Sequence, residues 1–106
     1  MARERRFYVY IITNVWDTTL YIGVTNDLFR RMIEHRTGIV QGFSSRYHLS
    51  KLVHYEEYTY PMEAFVREKQ LKNWHRTWKL NLIREQNPHL RDLAAEWFGD
   101  AETSSA

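Results

Sequence analysis

The sequence predicts a small mixed α/β domain, and three observations support this class. Two aromatic and β-branched runs, Phe7–Ile12 and Leu20–Val24, alternate as strands do and lie close enough to form a hairpin. Segments with helical periodicity follow them. The 106 residues suffice for one domain that buries roughly two-thirds of the surface of its unfolded chain. We expect this domain to span residues 1–98, followed by a disordered acidic tail over residues 99–106.

The predicted hairpin has one apolar face and one tyrosine-bearing face, because side chains alternate along a strand. The apolar sets are Phe7, Val9 and Ile11 in the first run and Leu20, Ile22 and Val24 in the second. The other face carries Tyr8, Tyr10, Tyr21 and Gly23. If residues 14–17 form a four-residue loop, Tyr10 lies directly across from Tyr21. An alternative interpretation is that this tyrosine pair only stabilises the hairpin.

A first helix is predicted after the hairpin. Asn26-Asp27 is typical of a helix N-cap, and Gly38 is typical of a C-terminal stop. The apolar stripe at helical spacing consists of Leu28, Phe29, Met32 and Ile33. Arg31 and His35 lie one turn apart at the border of this stripe, so Arg31 can reach the tyrosine face. The alternative is a solvated arginine whose alkyl stem covers apolar surface.

The remainder of the chain predicts one more strand and three more helices. In chain order we expect a loop over Gly38–Ser50, a strand over Leu52–Tyr58, a helix from Pro61 to about Trp74, a helix over Thr77–Gln86 that stops before Asn87-Pro88, and a short helix over Leu90–Phe98. The loop contains small and hydroxyl residues together with Arg46. It could close over a bound phosphate backbone or serve as a plain connection.

Glu68 is the most informative single position of the second helix. Ala64, Phe65 and Leu71 surround it at helical spacing, so its carboxylate emerges from an inward-facing patch. A carboxylate in such a place is costly unless it meets a cation or a metal. The partner could be Lys72, one turn on, or Arg31 across the core. It could also be a divalent metal, and one carboxylate with water ligands suits Mg²⁺ or Mn²⁺.

Composition excludes several classes of function. Cysteine is absent, which excludes disulfide frameworks, thiolate zinc sites and cysteine nucleophiles. No apolar run approaches membrane-spanning length and no signal-peptide core is present, so we expect a cytoplasmic protein without a membrane partner. Residues 1–84 carry 14 Lys/Arg against 8 Asp/Glu, a net charge of +6, whereas residues 85–106 carry a net charge of −4.

The net positive charge of residues 1–84 predicts contacts with nucleic acid. The candidate phosphate contacts are Arg30, Arg36, Arg46, Lys51, Lys69, Lys72, Arg76 and Lys79, interleaved with Trp74 and Trp78. Each of these cations could equally be a solvated surface charge, and the two tryptophans could simply pack against the sheet.

The order and spacing of the singled-out residues resemble the GIY-YIG nuclease family. The resemblance rests on Tyr8-Val9-Tyr10, Tyr21-Ile22-Gly23, Arg31, His35 and Glu68 within Arg67–Lys72, and it covers about residues 6–93. It is nearest to the small stand-alone bacterial members. It implies a three-stranded antiparallel sheet flanked by helices, and hydrolysis of a nucleic-acid phosphodiester, with DNA as the expected substrate and one Mg²⁺ or Mn²⁺ ion as cofactor.

The resemblance also implies a role for each site residue. Tyr10 would be the general base or position water, Tyr21 would orient water or phosphate, and Arg31 would neutralise charge on the phosphate. His35 would assist proton transfer, and Glu68 would hold the metal. Tyr8, which stands where the family has glycine, and Gly23 are candidates for support of the site. The family often carries a late asparagine near the metal, for which Asn87 and, as the alternative, Asn81 are candidates. Asn87 could instead simply end a helix.

Two other classes of function stay open at this point. The chain could be a non-catalytic nucleic-acid-binding module, or an interaction domain that uses Trp97-Phe98 to meet a partner. The oligomeric state is also open, since a lone nuclease centre needs two visits or a homodimer to break both strands.

Overall fold

The computed structural model describes residues 6–38 and 48–99, and its elements confirm the predicted class. The elements are β1 (Phe7–Thr13), β2 (Leu20–Thr25), α1 (Leu28–Thr37), β3 (Lys51–Tyr58), α2 (Pro61–Asn73), α3 (Arg76–Gln86) and a final 3₁₀ turn (Ala95–Phe98). The three strands form one antiparallel sheet in the order β2-β1-β3. Pro61 occupies the first turn of α2, as predicted.

Each face of the sheet carries its own apolar core. On one face, Val9 and Ile11 pack with Leu71 of α2 and Ile83 of α3. On the other face, Tyr10 and Ile12 pack with residues of α1 and with Ala94 near the C-terminal end. Since Tyr10 and Ile12 alternate with Val9 and Ile11 along one strand, β1 is buried on both faces.

The predicted register of the hairpin is wrong by two residues. Tyr10 pairs with Gly23, and Tyr21 pairs with Ile12, so the two tyrosines are diagonal neighbours on one face. The reason lies in the loop, where the Asn14 side chain accepts hydrogen bonds from the backbone N–H groups of Thr18 and Thr19. These two residues therefore stay in the loop rather than extending β2. The apolar alternation still holds, because the shift is an even number of residues.

The caps of α1 are as predicted, but its buried stripe is rotated. Asp27 accepts a hydrogen bond from the backbone N–H of Arg30, and Gly38 ends the helix with a φ of +78°. Leu28, Met32 and His35 are buried, whereas Phe29 and Ile33, which were predicted within the stripe, are exposed. The helix therefore points His35 into the molecule rather than along the border of the apolar face.

The segment after α3 forms less helix than the sequence predicts. Only Ala95–Phe98 is helical, as a 3₁₀ turn. Before it, the backbone N–H of Leu93 donates to the carbonyl of Leu52, and Asp92 accepts from the backbone N–H of Leu52. These bonds hold the segment along β3, and helical geometry cannot satisfy them at the same time. Leu90 has a φ of +50°, which also interrupts a helix.

Parts of the sequence-based predictions lie outside the described residues. These are the phosphate contact at Arg46, the body of the loop that contains it, and the acidic tail over residues 100–106. Among residues 6–38 and 48–99, no helix is both long and apolar enough to cross a lipid bilayer.

Candidate active site

Tyr10 of β1 and Gly23 of β2 lie directly across from each other on neighbouring strands. The Tyr10 ring folds over Gly23, and a Cβ added to this glycine would stand 2.5 Å from the Tyr10 hydroxyl oxygen. That distance is far below van der Waals contact, so any larger residue would displace the phenol. Gly23, which the resemblance made a candidate for support of the site, therefore makes room for the tyrosine that lies across from it.

Three aromatic side chains meet on the α1 side of the sheet. The Tyr10 hydroxyl oxygen lies 2.9 Å from Nε2 of His35, in a buried hydrogen bond between β1 and α1. The Tyr21 ring centroid is 6.5 Å from that of Tyr10 and 5.9 Å from that of His35. The structure thus brings together Tyr10, Tyr21 and His35, which are far apart along the chain.

Burial sets the protonation states of the central pair. It raises the pKa of the Tyr10 phenol above its ordinary value, and Tyr21 adds to this, while the charge and hydrogen bonding of Arg31 act in the opposite direction. Burial, followed by the charge of Arg31, lowers the pKa of His35 to about 4. Both side chains are therefore neutral at pH 7, and the phenol proton stays on Tyr10 in the free protein.

Arg31 lies beside this pair and forms an ion pair with Glu34, a residue that was not among the predicted site residues. Its Nε lies 3.1 Å from Oε1 of Glu34, and Nε of Arg30 lies 3.4 Å from the other oxygen of the same carboxylate. The three residues line a small polar cavity of about 140 Å³ together with the start of α1. The i,i+3 and i,i+4 spacing of these charges could have revealed Glu34 in the sequence.

Glu68 occupies the inner side of α2, as predicted, and of the partners considered for it the structure shows Lys72. Its Oε2 lies 3.0 Å from Nζ of Lys72, and one-fifth of its side chain is exposed. Its charge also contributes to the raised pKa of Tyr10, which places the carboxylate within electrostatic reach of the phenol. Ala64 and Leu71 flank it in the buried stripe of α2, whereas Phe65 is exposed.

The donor set fits a magnesium or manganese ion only with outside ligands. Among the described residues, no group of three or more His, Cys, Asp and Glu side chains could hold a metal ion. Mg²⁺ commonly takes one carboxylate and completes its octahedron with water and substrate phosphates. Glu68 can supply that carboxylate once Lys72 is displaced. This lysine is more than half exposed, so the ion pair is weak and easily exchanged.

Two of the predicted support residues serve elsewhere. Tyr8 lies on the same face as Tyr10 but contacts Tyr55 on the β3 side, and it lines a separate groove with Phe29 and Trp97. Asn87 caps α3, and its buried side chain binds the carbonyls of Val53 and Arg91. Its amide therefore fastens the chain end to β3 and is not directed to the tyrosines.

The predicted phosphate contacts in the described residues divide into four groups. Lys72 and Lys79 line one groove with Tyr21, beside the outer edge of β2. Lys51 and Arg76 both bind Asp17 in the loop between β1 and β2, through its carboxylate and its carbonyl respectively. Arg30 is exposed beside Arg31, and Lys69 is exposed on α2. Arg36 instead binds Asp92 and covers the ring of Phe98.

A second polar cluster lies on the opposite side of the sheet, and the sequence argument missed it too. Glu56 of β3 accepts hydrogen bonds from Tyr58 at 2.6 Å and from Nε of Arg67 at 2.8 Å, and it binds Nε2 of His54 at 2.9 Å. Burial acts to raise the pKa of Glu56, but these hydrogen bonds outweigh it and hold the pKa well below its usual range. We call His54, Glu56, Tyr58 and Arg67 the Glu56 cluster. In the sequence, this cluster is indicated only by the alternation of His54, Glu56 and Tyr58 along one strand.

Comparison with known proteins identifies relatives of this chain. Residues 6–81 match the sequence model of the family described as the GIY-YIG catalytic domain. A UPF0213 protein of Staphylococcus epidermidis is 34% identical over 80 residues, which are 76% of this chain and 96% of that protein. A UPF0213 protein of Syntrophus aciditrophicus is 39% identical over 85 residues, covering 76% of this chain and 92% of that protein.

A solved structure supports the fold. The solution NMR structure of a UPF0213 protein from Bacillus halodurans superposes with a TM-score of 0.53 over 85% of this chain and 95% of that one, at 23% sequence identity. Two small domains of different sequence therefore share the arrangement of one antiparallel sheet between helices.

Proposed function

Because the chain belongs to the GIY-YIG catalytic domain family, we propose that it is a divalent-metal-dependent endonuclease that hydrolyses phosphodiester bonds of nucleic acid, with DNA as the expected substrate. The single observation that carries this proposal is the buried hydrogen bond between Tyr10 and His35, 2.9 Å long, beside Tyr21 and Arg31. A neutral phenol that is hydrogen-bonded to a neutral imidazole beside a guanidinium would serve as a proton relay once substrate is bound.

The relay would act on the water that attacks phosphorus. With its ring hydrogen on Nδ1, neutral His35 accepts the Tyr10 proton on Nε2 while the Tyr10 oxygen takes a proton from water. The resulting hydroxide forms the new bond to phosphorus, and the bond to the leaving oxygen breaks. The leaving oxygen then takes up a proton from solvent or from His35. The low pKa of His35 in the free protein would rise once an anionic phosphate lies nearby, which favours the transfer.

Arg31 would supply the fixed positive charge of the site. Its guanidinium already interacts with Tyr10, so a phosphate placed against that phenol also meets the guanidinium. An ion pair of 3.1 Å between Oε1 of Glu34 and Nε of Arg31 holds the guanidinium in place. As charge builds up on the phosphate oxygens during the reaction, an already oriented cation stabilises it without reorganisation.

Glu68 would hold the metal ion. A divalent ion bound there supplies Lewis-acid stabilisation of the phosphate and of the leaving oxygen. The remaining ligands would be water and phosphate, because the described residues hold no group of three or more His, Cys, Asp and Glu side chains that could bind a metal ion. Binding of the ion and binding of substrate are then expected to strengthen each other, since each completes the other's contacts.

The test is cleavage of a labelled panel of duplex, nicked, flap, branched and single-stranded substrates with Mg²⁺ or Mn²⁺ against EDTA. We expect Glu68→Ala to lower metal-dependent cleavage by at least about a hundredfold, since a catalytic metal contributes several kcal/mol. Binding measured in EDTA should be equal or tighter, because a negative charge is removed. The matched control is Glu63→Ala, an exposed carboxylate in the first turn of the same helix.

Two outcomes would contradict the proposal. Equal cleavage by wild type and Glu68→Ala would remove Glu68 from the mechanism. No cleavage of any substrate, together with salt-sensitive binding, would favour a non-catalytic nucleic-acid-binding module.

A further inference from the structure

The loop between β1 and β2 presents an apolar tip to solvent. Trp16 is 77% exposed, more than any other large hydrophobic side chain in the described part of the chain, and its neighbour Val15 is 68% exposed. An indole that is so largely exposed forgoes the burial that its large apolar surface would gain in a core. No part of the proposed catalytic mechanism uses this tip.

The tip stands on a rigid support. The Asn14 side chain accepts from two backbone N–H groups and donates to Oγ1 of Thr18 at 2.7 Å. Arg76 of α3 donates to the carbonyl of Asp17 at 2.7 Å, and Lys51 of β3 pairs with the Asp17 carboxylate at 2.8 Å. Hydrogen bonds within the loop and contacts from two other elements, α3 and β3, therefore fix it, so little conformational entropy is lost if Trp16 binds a ligand.

A basic groove lies between β2, the strand that directly follows this loop, and the helices α2 and α3. It has a volume of about 230 Å³ and is lined by Leu20, Tyr21 and Ile22 on one wall and by Lys72 and Lys79 on the other. Tyr21 belongs both to this groove and to the aromatic contacts with Tyr10 and His35. The wall of the groove is β2, an edge strand whose first residue directly follows the loop of residues 14–19.

We propose that this groove is the track along which a nucleic-acid strand leaves the cleaved bond, with phosphates on Lys72 and Lys79 and a base stacked on Trp16. The inference rests on the proposed function, since it takes the tyrosine site as the place of cleavage. A strand of nucleic acid carries anionic groups and flat π-faces at regular intervals. A groove with two ammonium groups, whose β2 wall begins next to the loop that carries an exposed indole, matches both features.

Charge argues for this occupant over an apolar partner. The two lysines stand on the wall opposite β2, and the loop is attached through a third and a fourth cation, Lys51 and Arg76. When phosphate arrives at the catalytic end, Lys72 can move from Glu68 to the phosphate. This exchange frees the carboxylate for metal and ties the track to the catalytic step.

The experiment measures binding of fluorescein-labelled random-sequence oligonucleotides, single-stranded and duplex, in EDTA over a range of NaCl concentrations. Trp16→Ala should weaken binding about tenfold at all salt concentrations, because stacking does not depend on salt. Trp16→Phe should keep most of the affinity. Lys79→Ala should reduce the salt slope of log K by about 0.7 for single strands or 0.9 for duplex, the value of one phosphate contact.

The matched control for the lysine is Arg84→Ala, which removes an exposed cation from the last turn of the same helix and should leave the slope unchanged. Indole fluorescence gives a second readout. Quenching on binding should be present in wild type and much reduced in Trp16→Phe, although that variant still binds.

The outcomes separate the track from the nuclease proposal. Unchanged affinity of Trp16→Ala, or equal slopes for Lys79→Ala and Arg84→Ala, would overturn the track while cleavage by wild type still stands. Binding that depends on Trp16 in a protein that cuts no substrate would refute the nuclease and leave the groove as a nucleic-acid-binding surface with no cleaved bond at its end. A concentration-dependent dimer that Trp16→Ala abolishes without any change in oligonucleotide affinity would assign the tip to a second copy and overturn the proposal.

Discussion

The tyrosine site and the Glu56 cluster are built from the same four kinds of side chain, yet they are connected in opposite ways. Each has a tyrosine, a histidine, an arginine and a glutamate. In the Glu56 cluster the carboxylate lies at the centre and takes hydrogen bonds from the other three. In the tyrosine site the central hydrogen bond joins Tyr10 to His35. Glu68 is paired with Lys72, and Arg31 is paired with Glu34.

This difference in connection changes the charge states. Hydrogen bonds from its three partners keep Glu56 ionised, and its pKa lies well below the usual range despite burial. The hydrogen bond to that carboxylate raises the pKa of Arg67, so the pair is locked in its charged form. Burial pushes the pKa values of Tyr10 and His35 in the directions that keep both neutral. The charges of the Glu56 cluster are paired within the cluster. The central pair of the tyrosine site is neutral and leaves that site able to take up the charge of a substrate.

The largest expected contrast concerns the two tyrosines. Tyr10→Phe should lower the cleavage rate by about 10²–10⁴-fold, the usual contribution of a general base, while the ring still fills its place over Gly23. Tyr58→Phe removes a hydroxyl of the same kind from the Glu56 cluster and should leave the rate within about twofold, because it takes no part in the proposed proton relay. Single-turnover cleavage of the preferred substrate measures both. Equal losses in the two variants would show that Tyr10 acts only through the fold.

The second contrast is in stability. Glu56→Ala leaves the half-buried Arg67 without its carboxylate and should lower the free energy of unfolding by about 3 kcal/mol. Glu68→Ala breaks only a pair with the exposed Lys72 and should change it by no more than about 0.5 kcal/mol. Urea denaturation followed by circular dichroism measures both values. A loss for Glu68→Ala as large as that for Glu56→Ala would contradict the distinction between the two clusters.

The third contrast is in the pH range in which each cluster loses stability. His35 binds a proton with a pKa of about 4 when folded and about 6.5 when unfolded, so the unfolded chain takes up more protons between these values. Stability should therefore fall, by at most about 3 kcal/mol, as the pH drops from 6.5 to 4. Glu56 has a depressed pKa, so its contribution is complete above about pH 4.5 and is lost only below that value.

The variant His35→Gln separates the two ranges, since glutamine keeps a hydrogen-bonding group and does not titrate. Its stability should be flat between pH 6.5 and pH 4.5 and should fall below that. A wild-type curve that is already flat over this interval would mean that His35 is not held neutral.

Short-range patterns in the sequence determined the elements and the candidate residues. Alternation along the strands, the Asp27 cap, the Gly38 stop and Pro61 at the start of α2 act between residues a few positions apart, so the chain reveals them directly. The resemblance in motif order then singled out Tyr10, Tyr21, Arg31, His35 and Glu68. These predictions needed no knowledge of which elements pack together.

Tertiary structure decided which of these residues meet. The register followed from the side chain of Asn14, which retained two residues in the loop and moved Tyr10 across from Gly23. The orientation of α1 buried His35, and the packing of α2 joined Arg67 to Glu56. Electrostatic and hydrogen-bond partners are chosen among groups that are distant in the chain, by geometry accurate to about an ångström, and a linear pattern does not carry that information.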